Sequence, residues 1–411
     1  MKSLIILKSL AKSQKLDWVK NEELENYFID IDLFRRVYSS PDLITPSQEI
    51  LSKGYGDIVY RRFMEVLITR MSKGCLVVID PENEAVTIFE TLALIFGYTV
   101  FWVIFDVPQD YVVRSLKYNP SCYPIKRRAE LEKEVTSFLS ISFGEERLKI
   151  TSYQDVLNYW SLRTINVNPS DRLLFVGDLH SNYSLMPKDF SPYRLVVFLG
   201  DYIDGYEEGG SRKITDTILE TRSSNVIWLE GNHELRLRRY LGIKALAGTG
   251  RKDIIDFLYR NLTPDFLDKT AKEYDDLGPQ AAKNYLQKLN RKLKIFAILD
   301  TTNTTLFCTH AGLKFPEQID PRYVGNLVYG NRDMNRIDRE FSERSGKKGI
   351  WSVHAHCNYL DIWEPNRWEG VCNLNPHDET EIVTGEFINN KWTITPCQNE
   401  KLKLPAPRLM E

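Results

Sequence analysis

Short apolar runs rich in β-branched and aromatic residues recur along the chain, each bounded by polar or glycine positions. LIIL at 4–7, YFIDID at 27–32, LVVID at 76–80 and TVFWVIFD at 99–106 read as strands buried on both faces. The gaps carry helical patterns: one helix through about Glu25, then segments around 55–72, 84–96 and 126–140. Strands alternating with helices predict a parallel βαβ sheet covered on both sides. RLKIT at 147–151 is the last strand of this group, and a helix-like stretch follows at 152–162. The turn-rich Asn166-Val167-Asn168-Pro169-Ser170 then places a boundary near 165.

The second half repeats the pattern with a difference. LLFVG, LVVFLG, VIWLEG and TLFCT are again buried-strand runs, but each ends in a polar cluster. The clusters are Asp178-Leu179-His180, Gly200-Asp201-Tyr202-Ile203-Asp204, Gly231-Asn232-His233-Glu234 and Thr309-His310-Ala311-Gly312, followed by His354-Ala355-His356. A helix is expected at about 211–223, a helical insertion at about 235–295, and a hairpin at 384–396 around Asn389-Asn390. Pro405 and Pro407 mark an irregular tail at 401–411. The predicted organisation is an α/β chain with domains at 1–165 and 166–400.

Length supports that division, since 411 residues suit two domains. Net charge is −2, so no global attraction to nucleic acid or membrane follows. The six cysteines show no Cys-x-x-Cys spacing, which favours a reducing compartment over a disulfide framework. Leu4-Ile5-Ile6-Leu7 is too short for a signal-peptide core, and no apolar stretch approaches a membrane span. The expectation is a soluble cytoplasmic protein without a membrane partner; the sequence leaves oligomeric state open.

Of six histidines, five fall in the polar clusters. Polar residues placed directly after buried strands lie at the strands' C-terminal ends, where open α/β sheets build their sites. Carboxylate, amide and imidazole together suit first-row metals such as Mn, Fe, Ni, Co or Zn.

These ordered motifs resemble the calcineurin-like metallophosphoesterases, closest to the branch holding Ser/Thr protein phosphatases and bacterial polynucleotide kinase–phosphatases. FLGDYIDG and VIWLEGNHE are near-verbatim family segments. The resemblance implies a two-sheet α/β sandwich and two divalent ions, with manganese favoured. Two neighbouring ions need a shared anionic bridge, and Asp201 is the candidate. Asp178 and His180 would reach the first metal; Asn232 and His310 would bind the second. His354 fits the last ligand of the second metal, and His356 the extra histidine that some members add on the first. The glycine that usually precedes this pair is Val353 here. His233 would donate a proton to the leaving oxygen, with Asp204 as its acidic partner.

One position departs from the protein phosphatases. They read GDYVDRG, and their arginine grips the substrate phosphate; this chain has Gly205. Arg236 and Arg332 are the candidate replacements. The insertion also presents a basic series, Arg236, Arg238, Arg239, Lys244, Arg251 and Lys252, suited to a polyanion such as an RNA end.

The N-terminal domain resembles a P-loop kinase of the polynucleotide-kinase type that has lost its chemistry. The loop reads Ser9-Leu10-Ala11-Lys12-Ser13-Gln14-Lys15-Leu16. Lys15 remains, but Ser9 and Gln14 replace the two glycines, and Leu16 replaces the magnesium-binding hydroxyl. Asp32 and Arg35 match the positions that handle the acceptor hydroxyl in that family. Lys126-Arg127-Arg128 would be a phosphate-contacting lid.

The expected function is dimetal-dependent hydrolysis of a phosphate ester, favouring terminal or cyclic phosphates on RNA ends. Rivals are a protein Ser/Thr phosphatase, a nucleotide or dinucleoside-polyphosphate hydrolase, and a binding module whose metals are structural.

Overall fold

The computed structural model describes residues 2–8, 12–31, 33–34, 53–80, 86–105, 148–161, 164–205, 207–313, 334–345, 349–356, 371–374 and 381–398. The expected helix at 126–140, the cluster Lys126-Arg127-Arg128 and the proline-bearing tail lie outside them. The chain divides into two compact units: Ser3–Ala93 with Thr99–Trp160, and Met1–Lys2 with Leu94–Tyr98 and Ser161–Glu411.

In the first unit, β1 (Ser3–Lys8), α1 (Lys12–Asn21), β2 (Phe28–Asp30), α2 (Lys53–Ser72), β3 (Val77–Asp80), α3 (Val86–Phe96), β4 (Thr99–Ile104), β5 (Leu148–Ile150) and α4 (Tyr153–Ser161) alternate. The sheet is parallel throughout, in the order β2-β3-β1-β4-β5. Every residue of β1 and β3 is buried, as a parallel strand covered on both faces requires. Two boundaries differ from the sequence reading. Helix α1 stops at Asn21, short of Glu25, because Glu23 takes a left-handed conformation (φ 56°) and turns the chain. Strand β2 stops at Asp30, since Ile31 is already helical. The start of α4 is held by Asp155, whose Oδ2 accepts the backbone N–H groups of Thr151 and Ser152 at 2.8 and 2.9 Å.

The second unit contains β6 (Thr164–Asn166), β7 (Leu173–Val176), β8 (Leu195–Phe198), α5 (Gly210–Glu220), β9 (Val226–Leu229), α6 (Asn232–Leu246), α7 (Lys252–Arg260), α8 (Pro264–Asp268), a 3-10 segment (Thr270–Tyr274) and α9 (Pro279–Lys292). It continues through β10 (Leu293–Lys294), β11 (Phe296–Asp300), β12 (Thr305–Thr309), α10 (Met334–Ser345), β13 (Ile350–His354), β14 (Val371–Asn373), β15 (Glu381–Ile388) and β16 (Lys391–Gln398). One sheet has the order β10-β9-β8-β7-β15-β16, the other β14-β13-β12-β11-β6. Residues at alternate positions, Leu173 and Phe175, Leu195 and Val197, Leu306 and Cys308, join Leu229, Leu299, Val353 and Cys372 in one buried cluster. Period-two patterning therefore builds the core to which both sheets contribute.

The hairpin β15–β16 turns through Asn389 and Asn390, both left-handed (φ 50° and 60°), as a two-residue hairpin loop demands. The insertion is helical from α6 to α9, as expected. Its basic series is not one solvated face. Arg238 is fully buried and ion-paired with Glu230, which also meets Lys2, so it belongs to the interior. Among the described residues, no helix is long and apolar enough to cross a membrane.

Candidate metal centre

Three parallel strands, β7, β8 and β9, carry their motifs on the loops beyond their C-terminal ends. They deliver Asp178 and His180, Asp201 and Asp204, and Asn232 and His233. Strands β12 and β13, parallel neighbours in the other sheet, deliver His310, His354 and His356. Each motif is polar where its strand was apolar, yet Asp178, Asp201, His310 and His354 stay buried.

Asp201 is the hub. Its Oδ2 lies 3.3 Å from His310 Nε2, 3.6 Å from His233 Nε2 and 3.9 Å from His356 Nδ1. Asp201 shares one donor group with Asp178 and His180, and another with His310 and His356. Asn232 joins through its Oδ1, 3.0 Å from His310 Nε2. His310 is oriented by the Leu199 carbonyl, 2.9 Å from its Nδ1.

The loops that hold these groups are strained and latched. His180, Ser181, Asp201 and Asp204 all have left-handed φ values (40°, 62°, 50° and 65°), each costing about 1–3 kcal/mol at a non-glycine residue. Buried Glu234 offsets that cost. Its carboxylate accepts the backbone N–H of Gly231 at 2.8 Å, of Asp201 at 3.0 Å and of Tyr202 at 2.8 Å. One side chain thus ties the β8 loop to the start of α6. Glu234 reaching back to the Gly231 N–H is the third-position half of a capping box, a signal that the sequence reading did not use. Helix α6 itself begins at Asn232, a few positions before the insertion expected from about 235.

Gly205 also acquires a physical reason. A Cβ there would overlap the His180 carbonyl oxygen, while the Gly205 N–H donates to Ser181 Oγ at 2.9 Å. No side chain fits at this position, so the phosphatase-type arginine is excluded by packing.

His233 Nδ1 lies 2.9 Å from Asp204 Oδ2 and, because a carboxylate only accepts, carries the proton. Asp204 Oδ2 also accepts from Arg236 Nη1 at 2.8 Å, and its Oδ1 from Thr270 Oγ1 at 2.7 Å. Burial opposes charging of the His233 ring. The Asp201 charge and the Asp204 hydrogen bond outweigh it and raise the ring to about 9. His180 goes the other way, down to about 4, because burial dominates.

The donor set fits divalent cations. Burial, reinforced by the charges of Asp201 and Glu234, pushes the Asp178 carboxyl well above its usual range, the mark of a carboxylate that needs a positive partner. Among the described residues, no hydrogen-bond partner meets the buried Asp178 Oδ1 or His354 Nδ1. His354 is fully buried, with Nε2 held 3.1 Å from Asp338 Oδ1 of α10. Were His354 to hold a metal, Nδ1 would be the ligating atom and Asp338 the carboxylate behind the histidine. Nothing in the sequence marked Asp338, which sits mid-helix with no motif around it. The His356 ring groups with Asp201 and His310.

Arg332, Asp32 and Arg35 lie outside the described residues. Lys15, in the first unit, is buried and ion-paired with Asp80 at 2.5 Å.

A model of the calcineurin-like phosphoesterases matches residues 171–390, more than half of the 411. No curated protein matches the chain. The matched span begins just before β7 and ends inside the β15–β16 hairpin. It therefore takes in every motif gathered around Asp201, and the chain belongs to the calcineurin-like phosphoesterase family, hydrolases that act on phosphate esters.

Proposed function

We propose that this chain hydrolyses phosphate esters using two divalent cations, with His233 as the proton donor to the leaving oxygen. The observation that carries this reading is the position of Asp201, common to two donor groups and 3.6 Å from His233 Nε2. Asp178, His180, Asp201, Asn232, His310, His354 and His356 would hold the ions, with manganese favoured among first-row metals. When bound, such ions supply Lewis acidity and a nucleophile at neutral pH.

The chain's own residues do the rest. Asp204 holds the Nδ1–H of His233, so Nε2 faces the carboxylate hub, where it would give its proton to the leaving oxygen. Arg236, anchored through Nη1 on Asp204 and partly exposed, is placed to meet a substrate phosphate with its remaining N–H groups. A protein-phosphatase site is disfavoured, since the backbone at Gly205 leaves no room for the arginine that such a site uses.

The finer reading is a nucleic-acid end carrying a terminal or cyclic phosphate. It rests on the likeness of the domain order to kinase–phosphatases. The basic series supports it only in part. Arg239, Lys244 and Arg251 are engaged by Asn261, Asp275 and Asp253 within the insertion itself. In the first unit, the Lys15–Asp80 pair supports a role in scaffolding or substrate positioning rather than phosphoryl transfer. The test is a manganese-loaded panel of RNA with 3′-phosphate or 2′,3′-cyclic ends, a phosphopeptide and a dinucleoside polyphosphate. Hydrolysis of the RNA ends above the others is expected. Preference for the phosphopeptide would overturn the RNA reading, and no metal-dependent hydrolysis of any ester would overturn the reaction.

A further inference from the structure

The helical insertion does more than lie beside the site: one of its side chains touches the proton-delivering pair. Thr270 begins the 3-10 segment between α8 and α9, is 2% exposed, and donates its hydroxyl to Asp204 Oδ1 at 2.7 Å. The opposite oxygen of that carboxylate receives His233 and Arg236. With only those two donors the carboxylate would be held by one edge, free to turn about its Cβ–Cγ bond. The Thr270 hydroxyl closes the second edge.

The segment carrying Thr270 is itself anchored on α5, the helix that follows the Asp204 loop. The Tyr274 hydroxyl lies 2.8 Å from Thr215 Oγ1. The Tyr285 hydroxyl, from α9, donates to Asp216 Oδ1 and also lies beside Thr215 Oγ1, each at 2.8 Å. Glu273 Oε2 accepts the Arg212 backbone N–H at 2.6 Å, and the Arg212 guanidinium stacks over the Tyr274 ring. These contacts fix the 3-10 segment on the helix that follows the Asp204 loop, so the Thr270 hydroxyl has little freedom to leave it.

We propose that Thr270 is a positioning residue for catalysis, supplied by the insertion, which locks Asp204 so that His233 Nε2 keeps its aim at the leaving oxygen. This rests on the reading of His233 as the proton donor. The consequence is specific. Loss of the hydroxyl would spare binding and spare esters whose leaving group needs no proton, but slow esters with an alkoxide leaving group. Misplacement of a catalytic group by about 1 Å can cost on the order of 10²-fold in rate.

The experiment uses the full-length, manganese-loaded protein with Thr270→Val, Thr270→Ala, Thr270→Ser and His233→Ala. kcat and KM are measured on an alkyl phosphate and on an activated aryl phosphate. The downfield proton resonance of His233 Nδ1–H is followed by NMR without metal. For Thr270→Val we expect kcat on the alkyl ester to fall roughly 10–100-fold, little change in KM or on the aryl ester, recovery in Thr270→Ser, and a broadened or lost Nδ1–H signal. Thr270→Ala gives the same comparison if the valine variant does not fold. Equal rates in all Thr270 variants, or equal losses on both esters without recovery by serine, would overturn the proposal. If His233→Ala itself slows both esters equally, the proton-donor reading fails, and this outcome is separable because it appears without any change at Thr270.

Discussion

His354 Nε2 sits 3.1 Å from Asp338 Oδ1, and both side chains are fully buried. A histidine held this way presents a single, fixed Nδ1 lone pair. Asp338→Ala should weaken manganese binding by about 10–100-fold, because outer carboxylates orient ligand imidazoles and raise their basicity. Calorimetric titration of the metal-free protein checks this, and unchanged affinity would mean that His354 is not a ligand.

Asp201→Ala should remove the shared carboxylate and with it both ions. Elemental analysis should fall from about two ions per chain to less than about one, and turnover should fall to background. Retention of both metals with full turnover would sink the assignment of Asp201 as bridge.

Restoring the phosphatase-type residue with Gly205→Arg should not create a phosphopeptide phosphatase. The new Cβ would displace the His180 carbonyl, so stability should drop by about 1–3 kcal/mol and metal content with it. Thermal melting with metal analysis reads both. A stable, fully metallated variant would show that the loop has room after all.

In the first unit, the buried Lys15–Asp80 pair predicts two results. Calorimetry with ATP and magnesium should show no binding, since the Lys15 charge is already neutralised by Asp80. Asp80→Asn should destabilise the protein by about 3–5 kcal/mol, because Lys15 would stay buried without its partner. Micromolar ATP affinity, or a neutral substitution, would contradict this account.

Asp155 gives a pH-dependent expectation. The backbone N–H groups of Thr151 and Ser152 hold its carboxyl below the usual value of 3.8. A folded pKa below the unfolded one means that the stabilisation is present in full above about pH 4 and fades as pH falls through the folded pKa. Asp155→Ala should therefore cost about 0.5–1 kcal/mol at pH 7, kept to the low end by solvent screening, and progressively less below pH 4. Urea unfolding across pH 3–7 would show the two curves converging; parallel curves would exclude the capping role.

Much of the fold and the site could be read from the sequence because the information is local. A buried strand followed by Asp, Asn or His announces both the strand and a candidate ligand at its end, as LVVFLGD and VIWLEGNH do. What escaped reading was contact between distant elements. Asp338 and Thr270 are ordinary residues in ordinary helices until the fold brings them to His354 and Asp204. Arg238 looked like one more surface cation, because nothing near it in sequence says that Glu230 and Lys2 meet it inside. The helix end at Asn21 was missed for a related reason: a left-handed Glu23 carries no glycine to betray it.

The pairing of β7 has a consequence for synthesis. One neighbour, β8, follows it closely, but the other, β15, comes only after the insertion and all of β9 to β14. At about 5–20 residues per second, a ribosome would need on the order of ten seconds or more to travel that distance. Throughout that interval one flank of the apolar Leu173-Leu174-Phe175-Val176 strand stands unpaired on the nascent chain. Among the described strand pairs, β7 with β15 spans the most chain, so the segment that opens into Asp178 and His180 waits longest for its second neighbour.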